Sequence, residues 1–136
     1  MPRSFTSSGA PRAWKGCEPL AQFVPGQIVL AAWRDALPKE PNKLRPAIVV
    51  EDGELFGPLY PNIILVPLSE DSDFAIADLA LVIDPTAENG CTKRCYALSH
   101  CVATNSKRRV RPTQSRILPE QLDLIRGQIA LAIGLE

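Results

Sequence analysis

The sequence predicts a mainly β domain with one α-helix, a small, strongly curved antiparallel barrel against which a C-terminal helix packs. Three observations carry this expectation. Short apolar or β-branched runs recur between turn signals from Gln27 to about Ala103, the pattern of successive strands. The hydrophobic period becomes helical only at the end, where Leu118, Leu122, Ile125 and Ile129 recur. With 136 residues, 46% of them hydrophobic and 22% charged, the chain has the makings of one ordinary globular core.

Residues 1–22 mix Ser, Pro, Gly and Arg with few periodic apolar positions and are expected to be a flexible arm, leaving 23–136 as the folded domain. Pro25-Gly26 is a turn signal, and the run from Gln27 to Trp33 is apolar on both alternations, as in a buried first strand. The stretch from Arg34 to Leu44 contains Pro38, Pro41 and Asn42 and is expected to be a loop. Ala47 to Val50 is a β-branched second strand opened by Arg45-Pro46. The residue before proline favours extended geometry, which puts Arg45 at a loop–strand junction. Asp52-Gly53 and Gly57-Pro58 break the chain before a third strand, Asn62 to Leu68, whose end delivers Ser69 to the next loop. Leu79 to Ile83 and Tyr96 to Ala103 complete the expected strands. The terminal helix should run from about Pro119 to Ile133, with proline in its first turn and Gly134 as its C-terminal cap. Gly127 inside it costs about 1 kcal/mol relative to alanine, so packing must hold the helix.

The formal net charge is zero, yet the charges are segregated. No Lys or Arg occurs between Pro46 and Thr92, and no acid between Lys93 and Arg116. The basic block suits a phosphate-bearing partner, although Lys107-Arg108-Arg109-Val110-Arg111 also fits a solvated loop that meets the acidic segment across the fold or at an oligomer interface. The longest apolar runs fall far short of the ~20 residues of a membrane helix, and the N-terminus lacks an apolar signal core, so a cytoplasmic protein is expected. In that compartment Cys17, Cys91, Cys95 and Cys101 are expected to be reduced. A zinc set of Cys91, Cys95, His100 and Cys101 is conceivable, but CxxxC lacks the usual knuckle spacing, and no metal is assigned.

In order and spacing, Pro25-Gly-Gln-Ile-Val, Arg45-Pro-Ala-Ile-Val-Val, Ile64-Leu-Val-Pro-Leu-Ser69, Ala97-Leu-Ser-His-Cys-Val102 and the ending Ala132-Ile-Gly-Leu resemble the MazF/PemK family of toxin endoribonucleases. The resemblance covers roughly Pro25 to Leu135. It implies an SH3-like barrel, a homodimer, a cognate antitoxin partner, and cleavage of single-stranded RNA without metal or other cofactor. In that reaction the ribose 2′-OH attacks the neighbouring phosphate, so the protein must supply a base, positive charge for the phosphorane and an acid for the 5′-oxygen.

Arg45 matches the family's Arg-Pro arginine, and a guanidinium holds two phosphate oxygens while keeping its charge. Ser69 matches a family Thr or Ser whose hydroxyl donates to the scissile phosphate; its competing role is to cap the turn Ser69-Glu-Asp-Ser72. His100 stands where several members carry an acid, and an imidazole, ordinarily titrating near ~6.5, suits the same proton transfer. Trp33, Lys43, Arg108 and Arg109 are the residues expected to hold the RNA strand. The loop before Arg45 lacks the family's Glu and Gly residues, and Leu98 stands where PemK-like members carry a second arginine. Two other classes compete: a gyrase-directed binder like CcdB, and a non-catalytic RNA-binding barrel. CcdB-type activity depends on a Trp near the C-terminus, whereas this chain ends Ala-Ile-Gly-Leu-Glu.

Overall fold

A computed structural model describes residues 22–33 and 44–135 of the chain. The expected arm, apart from its last residue, and the loop holding Lys43 lie outside the described residues. Within them the chain forms β1 (Gln27–Ala32), β2 (Leu44–Val49), β3 (Asn62–Ser69), β4 (Ala80–Ile83), β5 (Cys95–Leu98), β6 (Ala103–Ser106), β7 (Val110–Arg116) and α1 (Pro119–Ala132). All strand pairs are antiparallel, in the order β4-β5-β3-β2-β1-β7, and β6 pairs with the first half of β3. The sheet is curved rather than closed: β4 and β7 end it without pairing to each other. Its roll is fixed partly by Asn105 on β6, whose side-chain amide donates to the Ala32 carbonyl at the end of β1, 3.0 Å away.

Because successive strand residues point to opposite faces, the sheet has two apolar clusters. On one face Ile28, Ile48, Val50, Val66, Leu68 and Ile83 pack with Ile117, Leu122 and Ile125 under the helix. On the other Val29, Ala31, Ala47, Val49, Ile63, Leu65 and Val110 form a second cluster, flanked by Phe23 and Trp33. The helix is further tied down by Arg126, whose guanidinium donates to the carbonyls of Val50 (3.0 Å) and Glu51 (2.8 Å). Gln121 accepts the Leu118 N–H at its start, and Gly134, at φ +91°, turns the chain at its end.

Three expectations shift. Strand β2 begins at Leu44, so Arg45 is its second residue, paired with Ala31, and Pro46 sits exposed within the strand. The expected fifth strand splits in two around a 3-10 turn, Ser99–Cys101. The split is enforced by Ser99, fully buried, whose hydroxyl donates to Gln128 Oε1 on α1 at 2.7 Å. Finally, much of the basic block is strand: β7 carries Arg111 and Arg116 along the edge of the sheet, where Pro112 is tolerated. Gly90, at φ +67°, is required where the β4–β5 loop meets β7, since a Cβ there would come within 2.7 Å of Ser115 Oγ.

Glu51 and Lys107 face each other at one margin of the sheet. Burial raises the Glu51 carboxyl above its ordinary 4.5, opposed by the Ile64 N–H that it accepts and by Lys107. Burial likewise lowers Lys107, opposed by Glu51. A carboxyl that binds its proton more tightly when folded gives stability that is full below 4.5 and is lost as pH rises through the raised folded value. Glu51→Gln should therefore flatten the fall in stability as pH rises above 4.5, measured by urea unfolding. An unchanged slope would assign that pH dependence to other groups.

Candidate functional site

Partners across an antiparallel ladder present their side chains on the same face, about 4.5–5.5 Å apart at Cβ. Arg45 pairs with Ala31, and Ala31 with Val110 on β7. On the other side of β2, the register Ala47↔Pro67, carried two residues further, brings Arg45 level with Ser69, which pairs with Tyr96; Tyr96 in turn pairs with Val82. A single row thus crosses the sheet as Val110, Ala31, Arg45, Ser69, Tyr96 and Val82. Its face is the one away from α1, because Arg45 alternates with Ala47 and Val49 of the second cluster. Arg45, Ser69 and Tyr96 are each half-buried, with Val82 open to solvent.

Ser69 does cap its turn: its Oγ accepts the Asp71 N–H at 3.0 Å. A hydroxyl has one hydrogen and two lone pairs, so this bond leaves the hydrogen to donate. Both roles read from the sequence are therefore compatible. Trp33 lies at the end of β1 against the same cluster as Ala31 and Ala47, and its indole Nε1 is buried without a hydrogen-bond partner. A buried donor left unpaired carries a desolvation cost, and an acceptor from a bound molecule would relieve it.

His100 is not in this row. It occupies the turn after β5, alongside the Leu65–Leu68 stretch of β3 and against α1. The ring is half-buried, with Nδ1 buried and unpartnered. Arg108 and Arg109 belong to a second 3-10 turn, Lys107–Arg109, which feeds directly into Val110 at the end of the row. Its three cations differ in setting: Lys107 is buried, Arg109 half-buried and Arg108 exposed, with the Arg108 N–H donating to Ser106 Oγ.

The thiols of Cys91, Cys95 and Cys101 are free, and among the described residues no group of three His, Cys, Asp or Glu could hold a metal ion. Cys95 belongs to the core under the helix, whereas Cys101 is exposed on the His100 turn. Burial, reinforced by Cys91, pushes the Cys95 thiol up to about 12, so it stays protonated and poorly nucleophilic at neutral pH. Among the described residues no helix is long and apolar enough to cross a membrane.

The sequence reading missed Tyr96 and Val82 as neighbours of Ser69. Its strand boundaries would have allowed the alternation to be seen, but nothing in one sequence says that β5 pairs with the end of β3.

Residues 24–133 match a family model described as the PemK-like, MazF-like toxin of type II toxin-antitoxin systems. No curated protein matches the chain. Among solved structures, the Mycobacterium tuberculosis toxin MazF-mt6 is similar at a TM-score of 0.63 and 17% identity, over 81% of this chain and 98% of that one. An endoribonuclease in complex with its cognate antitoxin, from a mycobacterial species, is similar at 0.65 and 16%, over 85% and 98% of the two chains. MazF from Deinococcus radiodurans is similar at 0.64 and 16%, over 84% and 100%. At these identities the likeness is one of fold.

Proposed function

Since the chain belongs to the PemK-like, MazF-like toxins of type II toxin-antitoxin systems, we propose that it is a sequence-selective endoribonuclease that cleaves single-stranded RNA by 2′-OH attack, without a metal. What supports this reading is the β2–β3 register, which, extended two residues beyond Ala47↔Pro67, sets Arg45 level with Ser69, both half-buried at the margin of the second cluster. A guanidinium and a hydroxyl held by neighbouring strands, about 4.8 Å apart, are suited to grip the oxygens of one phosphate. The nucleophile comes with the substrate, which restricts the reaction to RNA.

In this reading Arg45 neutralises the charge that grows on the phosphorane, and Ser69 donates its hydroxyl hydrogen to a non-bridging oxygen. The row contains no carboxylate or imidazole; His100 is the base we propose, although its turn packs against α1 as well as β3, so the ribose must reach it from outside the row. Trp33 at one side, with its unpaired indole N–H, and Arg108 and Arg109 beyond Val110 hold the strand, together with Lys43 outside the described residues. A homodimer and a cognate antitoxin that covers Arg45 and Ser69 complete the proposal; one of the similar structures is described as an endoribonuclease with its antitoxin. The cytoplasm is the setting that such a substrate requires.

The test is incubation of the purified chain with single-stranded RNA in the presence of a chelator. Discrete fragments are expected. Intact RNA, together with inhibition of gyrase, would favour the CcdB-like alternative instead.

A further inference from the structure

Tyr96 and Val82 are ladder partners next to Ser69 on the face that carries Arg45. Val82 is 44% exposed, an uncovered apolar side chain in the middle of a short strand, and Tyr96 beside it is half-buried. An aromatic ring flanked on one side by an open valine and on the other by a serine hydroxyl is a surface with two chemistries one strand spacing apart. We infer that Tyr96, resting against Val82, is a stacking platform for a nucleobase next to the phosphate held by Arg45 and Ser69. The inference rests on the RNA-cleaving reading and adds to it a base-binding subsite.

Strand side chains stand roughly perpendicular to the sheet, so the Tyr96 ring rises on the face over which the RNA would run. It lies about 4.8 Å from the Ser69 strand and twice that from the Arg45 strand. A single strand alternates phosphate and base, and a cradle for the one next to an aromatic surface for the other matches that alternation. Stacking on an aromatic face tolerates any base, so the subsite fixes where a base sits rather than which base it is. The phenol oxygen is not required: a ring in this position does the work, which separates the subsite from any proton-transfer role.

The experiment uses the full chain and single-stranded DNA containing 2-aminopurine at successive positions, a probe that lacks the attacking 2′-OH and cannot be cut by this route. Wild type should quench one 2-aminopurine position most strongly. Tyr96→Phe should keep both quenching and affinity, whereas Tyr96→Leu, which keeps apolar bulk without the ring, should lose the quench and bind about 5- to 150-fold more weakly. Equal quenching and affinity in the Phe and Leu variants would overturn the subsite. Cleavage of RNA by the wild type alongside that result would leave the ribonuclease reading standing; a wild type that neither binds the probe nor cuts RNA would remove both.

Discussion

Arg45→Ala should slow RNA cleavage by about 10²- to 10³-fold, the usual loss when one transition-state charge contact is removed. The position of Arg45 has local and non-local causes together. Pro46 favours extended geometry at Arg45, β1 pairing fixes its face through Ala31, and the β2–β3 register sets it level with Ser69. Arg45→Lys should recover only part of the rate, because an ammonium keeps the charge but loses the planar fork that matches two phosphate oxygens. Single-turnover rates, with circular dichroism as the control for folding, decide this. A folded Arg45→Ala chain that cuts at a near-normal rate would take Arg45 out of the chemistry.

Ile125→Ala should destabilise the domain by about 2–5 kcal/mol. Ile125 is fully buried and anchors α1 in the cluster formed with Ile48, Val66 and Ile83. Its loss leaves a void between the helix and the sheet that neither neighbour can fill without moving. In a domain whose whole stability is about 5–15 kcal/mol, that is a large share. Leu124, one residue away but 57% exposed, is the internal control: Leu124→Ala should change stability by about 0.5 kcal/mol or less. Urea unfolding of both variants makes the comparison. Equal effects would mean that the helix does not dock through the Ile125 side.

Much of this fold was legible because the relevant signals are local. The apolar run at β1, the β-branched run at β3 and the spacing of Leu122, Ile125 and Ile129 each announce an element by its own period. The strand β7 did not. Val110 to Arg116 reads Val-Arg-Pro-Thr-Gln-Ser-Arg, with one apolar residue, and it is a strand because β1, far back in the sequence, offers it a ladder. The break after β5 was equally hidden, since Ser99 becomes a turn residue through Gln128, 29 positions away. The site divides in the same way. Arg45 and Ser69 were identified by motif, but their juxtaposition depends on register, which only the sheet fixes. His100 was singled out by its type and position, and its place on a turn outside the row follows from the same Ser99 contact.

In the proposed reaction the substrate's own 2′-OH attacks the phosphate held by Arg45 and Ser69. This attack is tested most directly by replacing a single ribose at the cleaved linkage of an RNA oligonucleotide with deoxyribose and treating both oligonucleotides with the purified chain and a chelator. A 2′,3′-cyclic phosphate end is expected from the all-ribose strand, and an uncut linkage in the other despite comparable binding. Cleavage of the deoxy linkage at a similar rate would contradict the proposed reaction, because the attacking group would then have to come from water or from the protein.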